Sequence, residues 1–422
     1  MTKWRDPGSL RGSTSGTGGG PARTEVSAQM TRPQASPAGS APAAPWMISS
    51  DSHIVEPPDL WTARMPKHLA ERAPQVVSLD DGDWWFVDQR KTQSFVGIQA
   101  GVRFGKDPGK LVTSARFEQV RPAAYDPRRY LAENETDGVW GSVIYPSEGL
   151  VIFSVPNTEV VTAAMRAYND WLAEFCSEEP SRLKGIAMLN VDEIDDAVAE
   201  LERVRRLGLA GALITVKPPA WAPFHSRAYE PFWAAAQDLG LPISLHVATD
   251  RGDPRGGDAA FTLDVKNVPP SVFINKDHQV RQALADLILE GVFERFPRLR
   301  VGAVEHELAW IPYFLAQMDY TYTDRPARGD WHRFREGVLP SAFWHRNCFA
   351  SFQEDAIGVR LRDVIGVGAL LWGSDYPHTE STFPRSREIV AEFLAGVPAD
   401  EARAIVAGNA ARLYGFDLPE GP

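Results

Sequence analysis

The chain has only two cysteines, Cys176 and Cys348, in 422 residues. Neither lies in a CxxC or zinc-finger spacing, which sets aside a disulfide scaffold and a cysteine-ligated zinc site. So few thiols in so long a chain fit a reducing, cytoplasmic compartment. No run of about 18 apolar residues occurs, so no membrane span is expected. Positive charge is scarce relative to negative. The formal net charge is −11 and no basic stripe stands out, which argues against nucleic acid as a partner and leaves a small molecule. A GxGxxG turn is missing after the first strand candidate, and no convincing short repeat is present beyond the alternation of strand and helix.

What is present is ample apolar material, 44% of the residues, enough for a large core. The first 45 residues consist largely of Gly, Ser, Thr, Pro and Ala, with no apolar h-region of a secretory signal. Such a segment buries too little surface to offset its ordering entropy, and it is expected to be a disordered tail. The folded part is expected over 46–416, with 417–422 as a C-terminal tail. Within it, 62–130 reads as a small β-rich insertion, with short strands at Trp84–Val87, Phe95–Ile98 and Gly101–Phe104.

Beyond residue 138 the pattern becomes regular. Strand candidates at Val139–Tyr145, Leu183–Val191, Ala210–Val216, Pro242–Val247, Leu299–Val304, Cys348–Phe352 and Ala369–Trp372 are mostly separated by helical periodicity. Asn157 is placed to cap the first long helix. With Met47–His53 this gives eight strands in an alternating order, which implies parallel pairing through right-handed crossovers. The expected fold class is therefore α/β, a (β/α)8 TIM barrel, with an open doubly wound sheet as the rival.

Four short words stand at or near strand ends: Asp51-Ser52-His53, His246, Glu305-His306, and Gly373-Ser374-Asp375. In a parallel barrel these ends converge on one face. Asp51 and His53 are two apart on a strand end and point to the same side. Together with His246 and Asp375 they offer two imidazoles and two carboxylates, a set suited to one Zn²⁺, Mn²⁺ or Fe²⁺ ion, with Zn²⁺ the leading expectation. Each residue alone also reads as a cap, a turn former or a core histidine; the conjunction is what points to a metal.

These words resemble the amidohydrolase-2 family, the branch that includes aminocarboxymuconate-semialdehyde decarboxylase and γ-resorcylate decarboxylase. The residues that carry the resemblance are Asp51-Ser52-His53-Ile54-Val55-Glu56-Pro57-Pro58, His246, the segment Glu305 to Pro312, and Trp372-Gly373-Ser374-Asp375-Tyr376-Pro377-His378. The resemblance implies metal ligands at Asp51, His53, His246 and Asp375. It also implies a catalytic histidine at His306, which stands six residues before Pro312. Many family members open on His-x-His and some decarboxylases on Glu-x-His, and Asp51 departs from both. A homodimer is also implied by the resemblance.

Three functions remain open. The first is a metal-dependent, non-oxidative decarboxylase of a small aromatic or unsaturated acid, with His306 and Asp375 handling protons. The second is a metal-dependent hydrolase of an amide, lactone or related bond, with Asp375 as general base. The third is a barrel that has lost its chemistry. A histidine at position 306 leans toward the first. Glu305 reads as an orienter of an imidazole or as part of the barrel wall. Glu56 is expected to fix the first loop, and Lys217 to lie at the surface. His378 either faces the site or caps the loop that follows it. Arg251, Arg255, Lys266 and Arg281 are the basic residues nearest the His246 loop. Each is expected to be solvated, with one of them available to a substrate carboxylate.

Overall fold

A computed structural model describes residues 46–95, 100–105, 114–255, 269–325, 331–335 and 337–418. The expected disordered tail over 1–45, residues 96–99 and 106–113 of the insertion, Lys266, and residues 419–422 lie outside the described residues.

Eight strands form one parallel sheet: β1 Met47–His53, β5 Val139–Tyr145, β6 Leu183–Met188, β7 Gly211–Ile214, β8 Ile243–His246, β9 Val301–Val304, β10 Cys348–Phe352 and β11 Leu370–Trp372. Each pairs with its neighbour in sequence, as short right-handed crossovers require. Nearly every residue in these strands is buried, because helices cover the outer face and side chains fill the inner one. The helices carry one apolar stripe. In Ile194–Arg206, Ala197, Leu201 and Val204 are buried, while Asp195 and Asp196 stand exposed at the first turn, where acidic charge suits the helix dipole. Asn157 caps Thr158–Cys176 by accepting from the Val160 amide at 2.9 Å.

β1 and β11 close the barrel without a regular ladder. The Asp375 amide donates to the Asp51 carbonyl at 2.8 Å, the His53 amide donates to the Tyr376 carbonyl at 2.6 Å, and the Ser374 amide donates to Ser49 Oγ at 2.8 Å. A Cβ on Gly373 would stand 2.6 Å from the Asp51 Cβ, so only glycine lets the two strand ends approach this closely.

The insertion differs in detail from expectation. It is an antiparallel meander of β2 Gln75–Leu79, β3 Gly82–Val87 and β4 Arg90–Ser94. The Trp84–Val87 strand lies within β3. The turn into β4 places Asp88 and Gln89 at φ 50° and 62°, the two left-handed residues of a type I′ hairpin. Phe95 follows β4 as part of a turn, and the rest of the strand expected at Phe95–Ile98 lies outside the described residues. No strand forms over Gly101–Phe104. Gly101 takes φ 85° and Val102–Gly105 winds into a 3₁₀ turn, with the Phe104 amide bonded to the Gly101 carbonyl. Trp85 packs edge-on against Trp61 at 5.1 Å between centroids, so this aromatic run serves the core.

Candidate metal centre

The strand ends converge as the barrel requires. Asp51 and His53 occupy the end of β1, His246 is the last residue of β8, Glu305 follows β9 directly, and Asp375 lies three residues beyond β11. Asp51 Oδ1 stands 3.5 Å from Nε2 of both His53 and His246. Asp375 Oδ1 is 3.2 Å from His53 Nε2, and Glu305 Oε2 is 3.4 Å from His246 Nε2. The structure thus brings Asp51, His53 and His246 together with Glu305, and it sets Asp375 in an adjoining group with His53 and His378. Glu305 and Asp375 both adopt left-handed backbone, at φ 63° and 59°. Non-glycine residues take that conformation at a cost, and it concentrates at functional sites.

Carbonyl acceptors fix the imidazoles. His53 Nδ1 donates to Pro146 O at 2.7 Å and His246 Nδ1 donates to Val247 O at 3.0 Å, which leaves each Nε2 as a lone-pair donor facing the carboxylates. Among the described residues, Nε2 of His53 and His246 and both carboxylate oxygens of Asp51 are buried without a well-formed hydrogen bond. Buried polar atoms are rarely left so. Convergent unsatisfied nitrogens and carboxylate oxygens are the donor set that fits a divalent cation.

The local field agrees. Burial opposes a charge on His53, but Asp375 and Asp51 override it and push the ring well above its ordinary value. Burial would likewise raise Asp51, yet His246 and His53 hold it down at about 2. Two carboxylates that stabilise positive charge here so strongly would do the same for a metal ion.

His306 lies next in the β9 word. Its Nδ1 donates to the Lys276 carbonyl at 2.9 Å, and its Nε2 is buried without a hydrogen-bond partner. Burial, with His246 nearby, pushes its pKa down to about 3, so the ring is neutral at pH 7. Its loop is pinned by Trp310, whose indole donates to the His306 carbonyl, and by Asp355, which accepts from the amides of Leu308 and Ala309.

Neighbouring residues shape the site. Glu56 accepts from the amides of Glu148 and Gly149 at 2.9 Å, so it grips the loop after β5; burial raises its pKa to about 7. His378 does face the site. It stacks on His53 at 3.9 Å, its Nδ1 stands 2.9 Å from Asp375 Oδ1, and its Nε2 meets Ser147 Oγ at 3.0 Å. Lys217 is exposed, as expected.

Among the basic residues near the His246 loop, Arg255 is exposed as expected and Arg251 departs from expectation. Arg251 is buried rather than solvated. Its Nε and Nη2 fork onto Asp192 at 3.0 and 2.6 Å, and its Nη1 donates to the carbonyls of Phe153 and Val155. Arg255 stacks on Trp221, and Arg281 pairs with Asp277 at 2.9 Å. Lys276 is a cation near the site, with Nζ 3.4 Å from Glu307 and within electrostatic reach of Glu305. Removing one partner from a buried pair strands the other charge. Arg251→Met is therefore expected to lower the unfolding free energy by about 3–5 kcal/mol in urea titration. The Asp192→Asn, Arg251→Met double variant should lose less than the sum of the two singles.

A family model described as amidohydrolase matches residues 122–416. The γ-resorcylate decarboxylase of Rhodococcus jostii (strain RHA1) is 30% identical over 176 residues, 40% of this chain and 52% of that protein. The chain spans about half the length of the curated relatives it matches. Among solved structures, an amidohydrolase from Mycobacterium avium subsp. paratuberculosis K-10 aligns with a TM-score of 0.72 at 21% identity, covering 88% of this chain and 99% of that one. A dihydroxybenzoic acid decarboxylase from Polaromonas sp. JS666, with bound manganese and the inhibitor 2-nitroresorcinol, aligns with a TM-score of 0.57 at 17% identity, covering 88% of this chain and 97% of that one. At such identities the structural likeness speaks for the barrel alone. The family match by itself spans more than half of the sequence, and the chain belongs to the amidohydrolase family.

Proposed function

We propose that this chain is a metal-dependent, non-oxidative decarboxylase of a small aromatic or unsaturated carboxylic acid. The observation that carries this reading is His306, a buried imidazole held by the Lys276 carbonyl and close enough to His246 of the donor cluster to feel its charge. The relative named a γ-resorcylate decarboxylase supports it.

Asp51, His53, His246 and Asp375 would hold one divalent ion. Bound there, the ion would act as a Lewis acid toward a substrate oxygen on which charge develops. The chain's own residues handle the proton. Loss of CO₂ from a carboxylate requires a proton at the carbon it leaves, so the products are the protonated ring or alkene and CO₂. His306 would take a proton and pass it on, while its Nδ1–H stays on the Lys276 carbonyl. The negative charge of a bound acid raises the affinity of His306 for that proton. Asp375, with His378 2.9 Å from its Oδ1, is the second proton-handling group.

We further read the chain as a homodimer of the reducing cytoplasm. Two buried free thiols support the compartment, and among the described residues no helix is long and apolar enough to cross a membrane. The dimer rests on the family resemblance.

The same donors suit hydrolysis, and labelled water separates the two. With a panel of hydroxylated aromatic acids in H₂¹⁸O, CO₂ release is expected to match acid consumed, with no solvent oxygen in the organic product. Solvent ¹⁸O in a product carboxylate overturns decarboxylation in favour of hydrolysis.

A further inference from the structure

The donor set read from the sequence omits Glu305. This residue directly follows β9, where Val304 pairs with His246 of β8. Its left-handed backbone, φ 63°, departs from the extended path of the strand before it. Its Oε2 lies 3.4 Å from Nε2 of His246, a buried nitrogen with no hydrogen-bond partner among the described residues. That separation exceeds a well-formed N–H···O bond of about 2.7–3.2 Å, and the His246 proton already sits on Nδ1. It matches two donors that share an ion. Ligand atoms each about 2.0–2.2 Å from one metal stand roughly 3–4 Å apart. Donor atoms of Asp51, His53, His246 and Glu305 all lie within 4.8 Å of one another.

We propose that Glu305 is a further ligand of the metal centre, and that it biases the site toward Mn²⁺ relative to Zn²⁺. The proposal rests on the reading of this cluster as a metal site. A third carboxylate beside two imidazoles makes the donor set richer in hard oxygen, which suits Mn²⁺ better than the nitrogen- and sulfur-rich sets that zinc favours. The added negative charge has a counterweight. Lys276 interacts electrostatically with Glu307, Glu305 and Asp375. Glu307, one residue further on, also has a left-handed backbone, at φ 57°, but its carboxylate is directed at Lys276 and at the Gln353 amide. It therefore serves as the control.

The test uses the full chain, stripped of metal by chelator dialysis, and titrates Mn²⁺ alone and Zn²⁺ alone by calorimetry. Free Mn²⁺ is counted by its electron paramagnetic resonance signal. Glu305→Gln is expected to weaken Mn²⁺ binding by about tenfold or more and Zn²⁺ binding by less, so that the Mn²⁺-to-Zn²⁺ affinity ratio falls. Glu307→Gln is expected to leave both affinities within about twofold. A merely structural role for Glu305 would not move the ratio. Should Glu305→Gln fail to fold by circular dichroism, Glu305→Asp carries the same comparison with the same expected fall. An unchanged ratio, with Mn²⁺ affinity within about twofold of the parent, overturns the assignment of Glu305 and leaves the metal centre standing. A parent protein that takes up neither ion overturns the metal centre itself, and this proposal with it.

Discussion

His246→Ala is expected to strip the protein of its metal. His246 is the point where three donors meet, with its Nε2 within 3.5 Å of Asp51 Oδ1 and 3.4 Å of Glu305 Oε2. Removing the ring leaves two carboxylates facing each other across a buried gap with one imidazole fewer to anchor a cation. The measurement is metal content after gel filtration, with the parent expected to carry one ion per chain and the variant none. Thermal unfolding gives a second readout. A ligand at a hundred times its Kd stabilises the folded state by about 2.7 kcal/mol, so the parent's Tm should rise with added ion while the variant's stays flat. His53→Ala should behave alike, because His53 Nε2 faces both Asp51 and Asp375. Full metal content in either variant would end the assignment of that histidine.

His306→Ala is expected to do the opposite: keep the ion and lose turnover. The His306 ring is held through its own Nδ1 by the Lys276 carbonyl. Its loss leaves the donors on β1 and β8, and Asp375 beyond β11, in place. Removal of a positioned proton-transfer group costs about a hundred- to ten-thousand-fold in rate. Metal content and CO₂ release, measured on the same preparation, separate this outcome from simple loss of the site. Turnover within about twofold of the parent would remove His306 from the proton path.

The barrel was legible because most of its strands after β1 are apolar on both faces and its helices on one, so the alternation is written in composition and period. Cys348–Phe352 matches residue for residue, and Asn157 caps where its side chain suggests. The insertion was less legible for a physical reason. β4, Arg90-Lys91-Thr92-Gln93-Ser94, is polar throughout, and only Thr92 and Ser94 are buried. It is a strand because β3 offers it a partner, and a local pattern does not carry that information. The same distinction holds at the site. Asp51, His53, His246 and Asp375 were found because each stands at or near the end of a readable strand. Glu305 was undervalued because period two puts it on the opposite side from Val304, and a left-handed backbone cancels that rule without leaving a glycine to announce it. Arg251 was misplaced because its partners, Asp192 and the carbonyls of Phe153 and Val155, lie 59 to 98 residues away in sequence.

The closure of β1 against β11 has a consequence for the life history of the protein. The cluster joins Asp51, near the start of the folded chain, to Asp375, beyond its last barrel strand, across the close approach permitted by Gly373. No nascent chain shorter than this span contains the whole set. Loading of an ion by this set would thus be a late event in synthesis, and an ion bound across the seam would work as a clasp on a ring whose two ends share no regular ladder. Chelation should then be felt first as faster amide exchange at Asp375 and His53, the residues whose backbone bonds stitch that seam.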